Sequence, residues 1–216
     1  MNYNFLGKEV DMKRMLFLIV ALGAVVATFS SSQRNVLLMP REGAYLDLDL
    51  MLSKEVRVMM TMLEAEGYKV TVASLSGKPF IGKNITINTD YKLSEVKIND
   101  YCGIVIPCMA VGLPGSIPRE AVDLVKQASS LGIPIAAQFG SVCILGEAGL
   151  LKGKKYALAY HRFPEGVYSG TGVVADGNII TSGTCPAQAQ QSGRPDGTAE
   201  LINTFIRALG AIAPKD

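Results

Sequence analysis

Two rhythms of hydrophobic and polar positions alternate along the chain. Short apolar runs at 35–39 (NVLLM, closed by Pro40), 101–107 and 133–137, with a further strand-like segment at 68–73, predict strands buried on both faces. Between them the period is helical. Residues 54–66 place Val56, Met59, Met60 and Leu63 on one face, with Ser53 as the predicted cap and Gly67 as the stop. A second helix is predicted from Pro118 through Val122, Leu124, Val125 and Ala128 to Leu131-Gly132, and a last one over 198–209. Residues 41–53 read as a loop of mixed character in which Asp47 and Asp49 alternate with leucines. The segment 85–88 alternates like a peripheral strand with one wet face, and Asp176-Gly177 between two short apolar segments predicts a hairpin. Buried strands alternating with helices predict a parallel α/β sheet covered on both faces.

The stretch 133–155, IPIAAQFGSVCILGEAGLLKGKK, is the most informative. Its apolar run stops at Gln138-Phe139-Gly140, and a helical pattern follows at once through Leu145 to Gly149. A strand turning this sharply into a helix has the layout of a nucleophile elbow, which holds one side chain out at the carboxyl end of a sheet. The residue at that point is Phe139, which has no nucleophilic chemistry. Sites of parallel sheets lie beyond the carboxyl ends of the strands, here 40–55, Cys108-Met109, Phe139-Gly140 and Thr184-Cys185.

At 216 residues and 49% hydrophobic, the chain has room for one domain with a sizeable core. A net charge of +2 without a Lys/Arg run gives no reason to expect a nucleic-acid partner. Met12-Lys13-Arg14, the uncharged residues 15–29 and Ser30-Ser31-Ser32-Gln33 follow the order of a secretory signal. That uncharged run is shorter than the roughly 20 residues of a spanning helix. We therefore read 1–32 as an N-terminal extension with a signal peptide, or else an uncleaved anchor, and 33–216 as a single exported domain, periplasmic if the source is bacterial. Membrane contact is expected only through the N-terminal segment if it stays attached. The four cysteines, Cys102, Cys108, Cys143 and Cys185, match no zinc-ribbon or CxxC spacing, and one histidine excludes a His-rich metal site. No metal or cofactor is expected. Cys102 and Cys108 flank one predicted strand of about 20 Å, too long for a disulfide.

Taken in order, GYKVTVAS (67–74), YCGIVIP (101–107), IPIAA followed by EAGLLKGKK, and VVADGNIITS (173–182) resemble the ThiJ/PfpI superfamily over about residues 35–210. The resemblance implies a flavodoxin-like three-layer sandwich with a mostly parallel central sheet, and a homodimer. Family members carry a cysteine at the elbow, where a helix N-terminus favours a thiolate and backbone N–H groups hold an oxyanion. Counting back from Glu147-Ala148-Gly149 puts Phe139 at that cysteine, Gly140 at the usual His or Ala, and Ser141 at the usual Gly. The family's double glycine after the 101–107 strand reads Cys108-Met109. Its first-helix glutamate, counted back from Gly67, falls on Glu55. We expect Glu55 to be buried near Phe139 with a raised pKa; the alternative is a surface carboxylate in the first helical turn.

Among the remaining candidates, Cys143 lies one turn beyond Phe139 and reads as a small buried apolar residue. Cys108 and Cys185 follow strands that the resemblance places at the pocket, where a disulfide between them would suit an exported protein. His161 falls where many family members carry a pocket histidine, in a loop that equally suits an exposed one. Residues 188–195 read as a polar loop at the pocket mouth, with Ser192 a solvated turn residue. Two functional readings follow. The first is a small-molecule-binding, interaction or protective protein that has lost the cysteine chemistry. The second is a divergent enzyme of the hydrolase, glyoxalase or deglycase type using Cys108, Cys185 or Glu55.

Overall fold

A computed structural model describes residues 34–111 and 117–212; the segment 1–32, on which the signal or anchor reading falls, lies outside them. Five elements form the parallel core of the sheet: β1 (Asn35–Leu38), β2 (Lys69–Ser74), β6 (Gly103–Ile106), β7 (Ile135–Gln138) and β11 (Ile179–Ser182). The short β5 (Tyr91–Lys92) joins β2 in parallel, and β10 (Val173–Asp176) pairs antiparallel with β11 across the predicted hairpin, whose Gly177 has φ +63°. The seven-strand order is β10-β11-β7-β6-β1-β2-β5. Two two-residue pairs lie outside this sheet: β3 (Phe80–Ile81) with β4 (Thr86–Ile87), and β8 (Lys155–Tyr156) with β9 (Val167–Tyr168).

The two-residue period of the strands feeds two cores at once. On β1, Val36 and Leu38 belong to one hydrophobic cluster, while Leu37 belongs to the other with Ile104, Ile106, Ile135 and Ala137. Helix α1 (Leu48–Ala65) and the C-terminal helix α5 (Thr198–Ile212) cover the first face. Helices α2 (Arg119–Ser130) and α3 (Val142–Glu147) cover the second. This is the predicted three-layer sandwich.

Helix α1 begins earlier than expected. It runs as Leu48–Met51, a π-helical turn Leu52–Val56, and Arg57–Ala65. Asp47 is its cap, accepting the Leu50 N–H at 2.9 Å, whereas the Ser53 hydroxyl donates to the Leu50 carbonyl inside the helix. The predicted loop therefore ends at Asp47. The alternation of Asp with Leu hid a helix whose buried residues, Met51 and Leu52, arrive only on the second turn. The predicted polar loop 188–195 is likewise corrected over its first half by helix α4 (Pro186–Ser192), with Pro at its first turn and Gly193 at φ +67° as its stop. Its core side is only Pro186 and Ala187, too little to give a period.

Candidate active site

The site grows from three turns at the carboxyl ends of β6, β7 and β11, together with one side chain from α1. The π turn brings Glu55 to the sheet side of α1 together with Leu52 and Val56, and Glu55 is fully buried. Its Oε1 accepts the Cys108 N–H at 2.8 Å and its Oε2 the Met109 N–H at 2.9 Å. These donors open the turn after Pro107, in which Met109 and Ala110 take φ of +59° and +46°. A left-handed conformation costs a residue with a Cβ about 1–2 kcal/mol, so the carboxylate and the surrounding core hold a turn the sequence resists. Burial raises the Glu55 pKa well above the ordinary 4.5, and charge on Cys108 adds to this, against the two N–H groups that favour the carboxylate.

At the end of β7, Phe139 has φ +46°, the strained strand-to-helix corner that the sequence predicted. The Ser141 hydroxyl donates to the Pro107 carbonyl at 2.6 Å and ties this corner to the Cys108 turn. The Phe139 ring meets Tyr160 edge to face, with centroids 4.9 Å apart.

Cys108 is where the elements converge. The neighbouring Cys185 thiol, the N–H groups of Gly140 and Ala110 and the charge of Arg41 together favour its thiolate, lowering its pKa from 9.0 to about 7 against the cost of burial. Cys185 is pushed up, because the neighbouring Cys108 sulfur and burial both disfavour its thiolate. Both are free thiols, so the disulfide considered from the sequence is not formed. They open on a cleft of about 180 Å³, also lined by Phe139, Gly140, Tyr160 and, from α4, Gln188. Among the described residues no group of three or more His, Cys, Asp or Glu side chains is placed to hold a metal ion.

Of the predicted site residues, Cys108, Phe139, Gly140 and Cys185 line the cleft together. Glu55 is buried behind Cys108, its hydrogen bonds going to that turn and not to Phe139. Met109 is buried without lining the cleft. His161 is exposed, its ring against Phe163 at 4.6 Å, and its neighbour Tyr160 reaches the cleft instead. Cys143 is half-buried and packs against the second hydrophobic cluster, with its sulfur 3.6 Å from the Tyr160 hydroxyl, so the expectation of a buried apolar residue holds only in part. Ser192 is exposed on the last turn of α4, bonded to the Gln188 carbonyl.

Three groups were missed in the sequence: Arg41, Tyr160 and Gln188. Arg41 is 7% exposed, and its Nη1 has no hydrogen-bond partner among the described residues. A charged residue directly after the Pro that closes a buried strand was the available signal for it.

A mostly parallel flavodoxin-like sheet, a buried glutamate under the turn after β6, and a strained corner after β7 define the class. The chain belongs to the DJ-1/PfpI family, whose model matches residues 46–191. It is 34% identical over 126 residues to an uncharacterized protein of Archaeoglobus fulgidus, covering 56% of this chain and 75% of that protein. It is 28% identical to a protein named a deglycase from Pyrococcus abyssi, covering 56% of this chain and 76% of that one. A ThiJ/PfpI domain protein from Brachyspira murdochii shares its fold, with a TM-score of 0.66 at 20% identity over 83% of this chain and 98% of the other.

Proposed function

We propose that the cleft carries out thiol chemistry of the family's deglycase or glyoxalase type on small carbonyl compounds, with Cys108 as nucleophile. The observation that carries this reading is the surroundings of the Cys108 sulfur. It faces the cleft from the turn after β6, with the Cys185 thiol, the backbone of Gly140 and the Arg41 charge all close to it. Phe139 removes a nucleophile from the corner after β7, and Cys108 supplies one to the same cleft from the neighbouring strand. The name of the Pyrococcus relative agrees with this class of chemistry.

In the first step the Cys108 sulfur adds to the carbonyl carbon. A C–S bond forms, the C=O π pair moves to oxygen, and that oxygen takes up a proton, so the net change is addition of S–H across the carbonyl. Glu55 acts behind the sulfur as a positioning residue, since its two hydrogen bonds fix the backbone that carries Cys108.

The test is turnover of methylglyoxal and of a simple ester by the purified protein. Cys108→Ser is expected to lower turnover at least about a hundredfold, while Cys143→Ser stays near wild type. Wild-type turnover in Cys108→Ser, or no turnover that iodoacetamide abolishes in the unaltered protein, would count against the reading and restore that of a binding or protective protein.

A further inference from the structure

We propose that Arg41 forms a carboxylate subsite beside Cys108, so that the cleft selects small carbonyl compounds bearing a carboxylate next to the reactive carbon, the 2-oxo carboxylates. The inference rests on the reading of Cys108 as the nucleophile and names the substrate class for it.

Arg41 is nine-tenths buried, and its Nη1 has no hydrogen-bond partner among the described residues. The ion pairs among those residues join Arg119 to Asp123, Lys152 to Glu165 and Lys154 to Asp176, and none includes Arg41. A buried guanidinium is stable only where an anion or several acceptors meet it.

The guanidinium lies directly behind the cleft wall at Gly140, close to the reacting sulfur, although Arg41 is not itself one of the cleft-lining residues. Gly140 has no Cβ, and the point where one would stand is 2.8 Å from Arg41 Nη1, 3.5 Å from Cys108 Sγ and 3.7 Å from the Tyr160 hydroxyl. The arginine, the thiol and the phenol therefore surround the bare face of Gly140, itself part of the cleft wall.

When ionised, Cys108 supplies negative charge near Arg41. That charge disappears once the sulfur forms a bond to carbon, and a neutral substrate would leave the buried cation alone in the adduct. A carboxylate one bond from the attacked carbon replaces the lost charge and accepts the free N–H in the planar geometry that a guanidinium prefers. The Gln188 Oε1, also buried without a partner and on a cleft-lining residue, offers an acceptor to the hydroxyl that the carbonyl becomes.

The first test compares alkylation of Cys108 by iodoacetate and by iodoacetamide, read by mass mapping, with glutathione as the free-thiol reference. The rate ratio of iodoacetate to iodoacetamide at Cys108 should exceed the glutathione ratio by about tenfold, and Arg41→Met should bring it back to that ratio, with Arg41→Lys between. The ratio is the readout because Arg41 also affects the thiol itself, which alters both rates together. A wild-type ratio equal to that of glutathione, or a preference unchanged in Arg41→Met, would overturn the subsite. The second test does not need a reactive thiol. At matched ionic strength, glycolate should raise the Tm of the wild type and of Cys108→Ser but not of Arg41→Met, and glycolamide should raise none of them. If neither reagent labels Cys108, the nucleophile reading fails and the glycolate result alone decides the subsite: stabilisation supports it and no stabilisation overturns it.

Discussion

The Glu55 side chain accepts hydrogen bonds from the turn that carries Cys108, and the pKa values of the two groups shift in opposite directions. Burial raises Glu55, so its folded-state pKa lies above the ordinary 4.5. The stability gained by keeping it neutral is present in full below about pH 4.5 and is lost as the pH rises towards the folded value. Glu55→Gln carries no such charge. Its unfolding free energy should therefore gain on that of the wild type as the pH rises from 4.5, with a limiting slope of about 1.4 kcal/mol per pH unit. Urea unfolding of the two proteins from about pH 4.5 to 6.5 measures this, and a constant difference would mean that Glu55 titrates normally. Cys108 has the opposite sign: its folded value of about 7 lies below 9.0, so its contribution is present above pH 9 and is lost as the pH falls through 7.

At the scale of elements, the site depends on joints between strand ends. Gln138, the last residue of β7, is fully buried, and its Nε2 donates to the Thr184 carbonyl and the Thr198 hydroxyl, each at 2.9 Å. This fastens the corner after β7 to the segment that carries Cys185 and to the start of α5. Gln138→Leu keeps the volume and removes these bonds together with a longer one to Asp196 Oδ1 at 3.5 Å. It should cost about 2 kcal/mol, read as a lower urea midpoint, and an unchanged midpoint would show that the joint is not needed. The corner itself was legible, because an apolar run stopping at Gln138-Phe139-Gly140 before a helical period has few other solutions. The start of α1 was not, since Asp47 and Asp49 alternating with leucines imitate a strand-like period until Met51 and Leu52 are seen to be buried. Neither was α4, whose polar sequence shows no stripe. Glu55 was placed through the family resemblance, and its burial through a π turn has no sign in the residue pattern. Arg41 and Tyr160 sit in irregular segments whose neighbours are fixed only by the folded sheet, which is why their part in the site was not read.

For the whole molecule, the three layers follow directly from apolar strands separated by amphipathic helices, and the parallel order puts every site element at one end of the sheet. No helix of the described residues is long and apolar enough to cross a membrane. We propose that residues 1–32 direct export; N-terminal sequencing of the protein from its native cells should find a start near Gln33, and a chain that retains Met15 would favour the anchor or a non-exported protein. The central claim is that the nucleophile of this fold has moved from the β7 corner to the neighbouring β6 turn. Alkylation of the whole folded protein by iodoacetamide, followed over pH and mapped to all four cysteines, tests it most directly. Cys108 is expected to react first, with a half-maximal rate near pH 7, and Cys185→Ala to move this midpoint up towards 9 by removing the neighbouring thiol that favours the thiolate. Faster labelling of the half-buried Cys143, with Cys108 inert or titrating near 9, would contradict it.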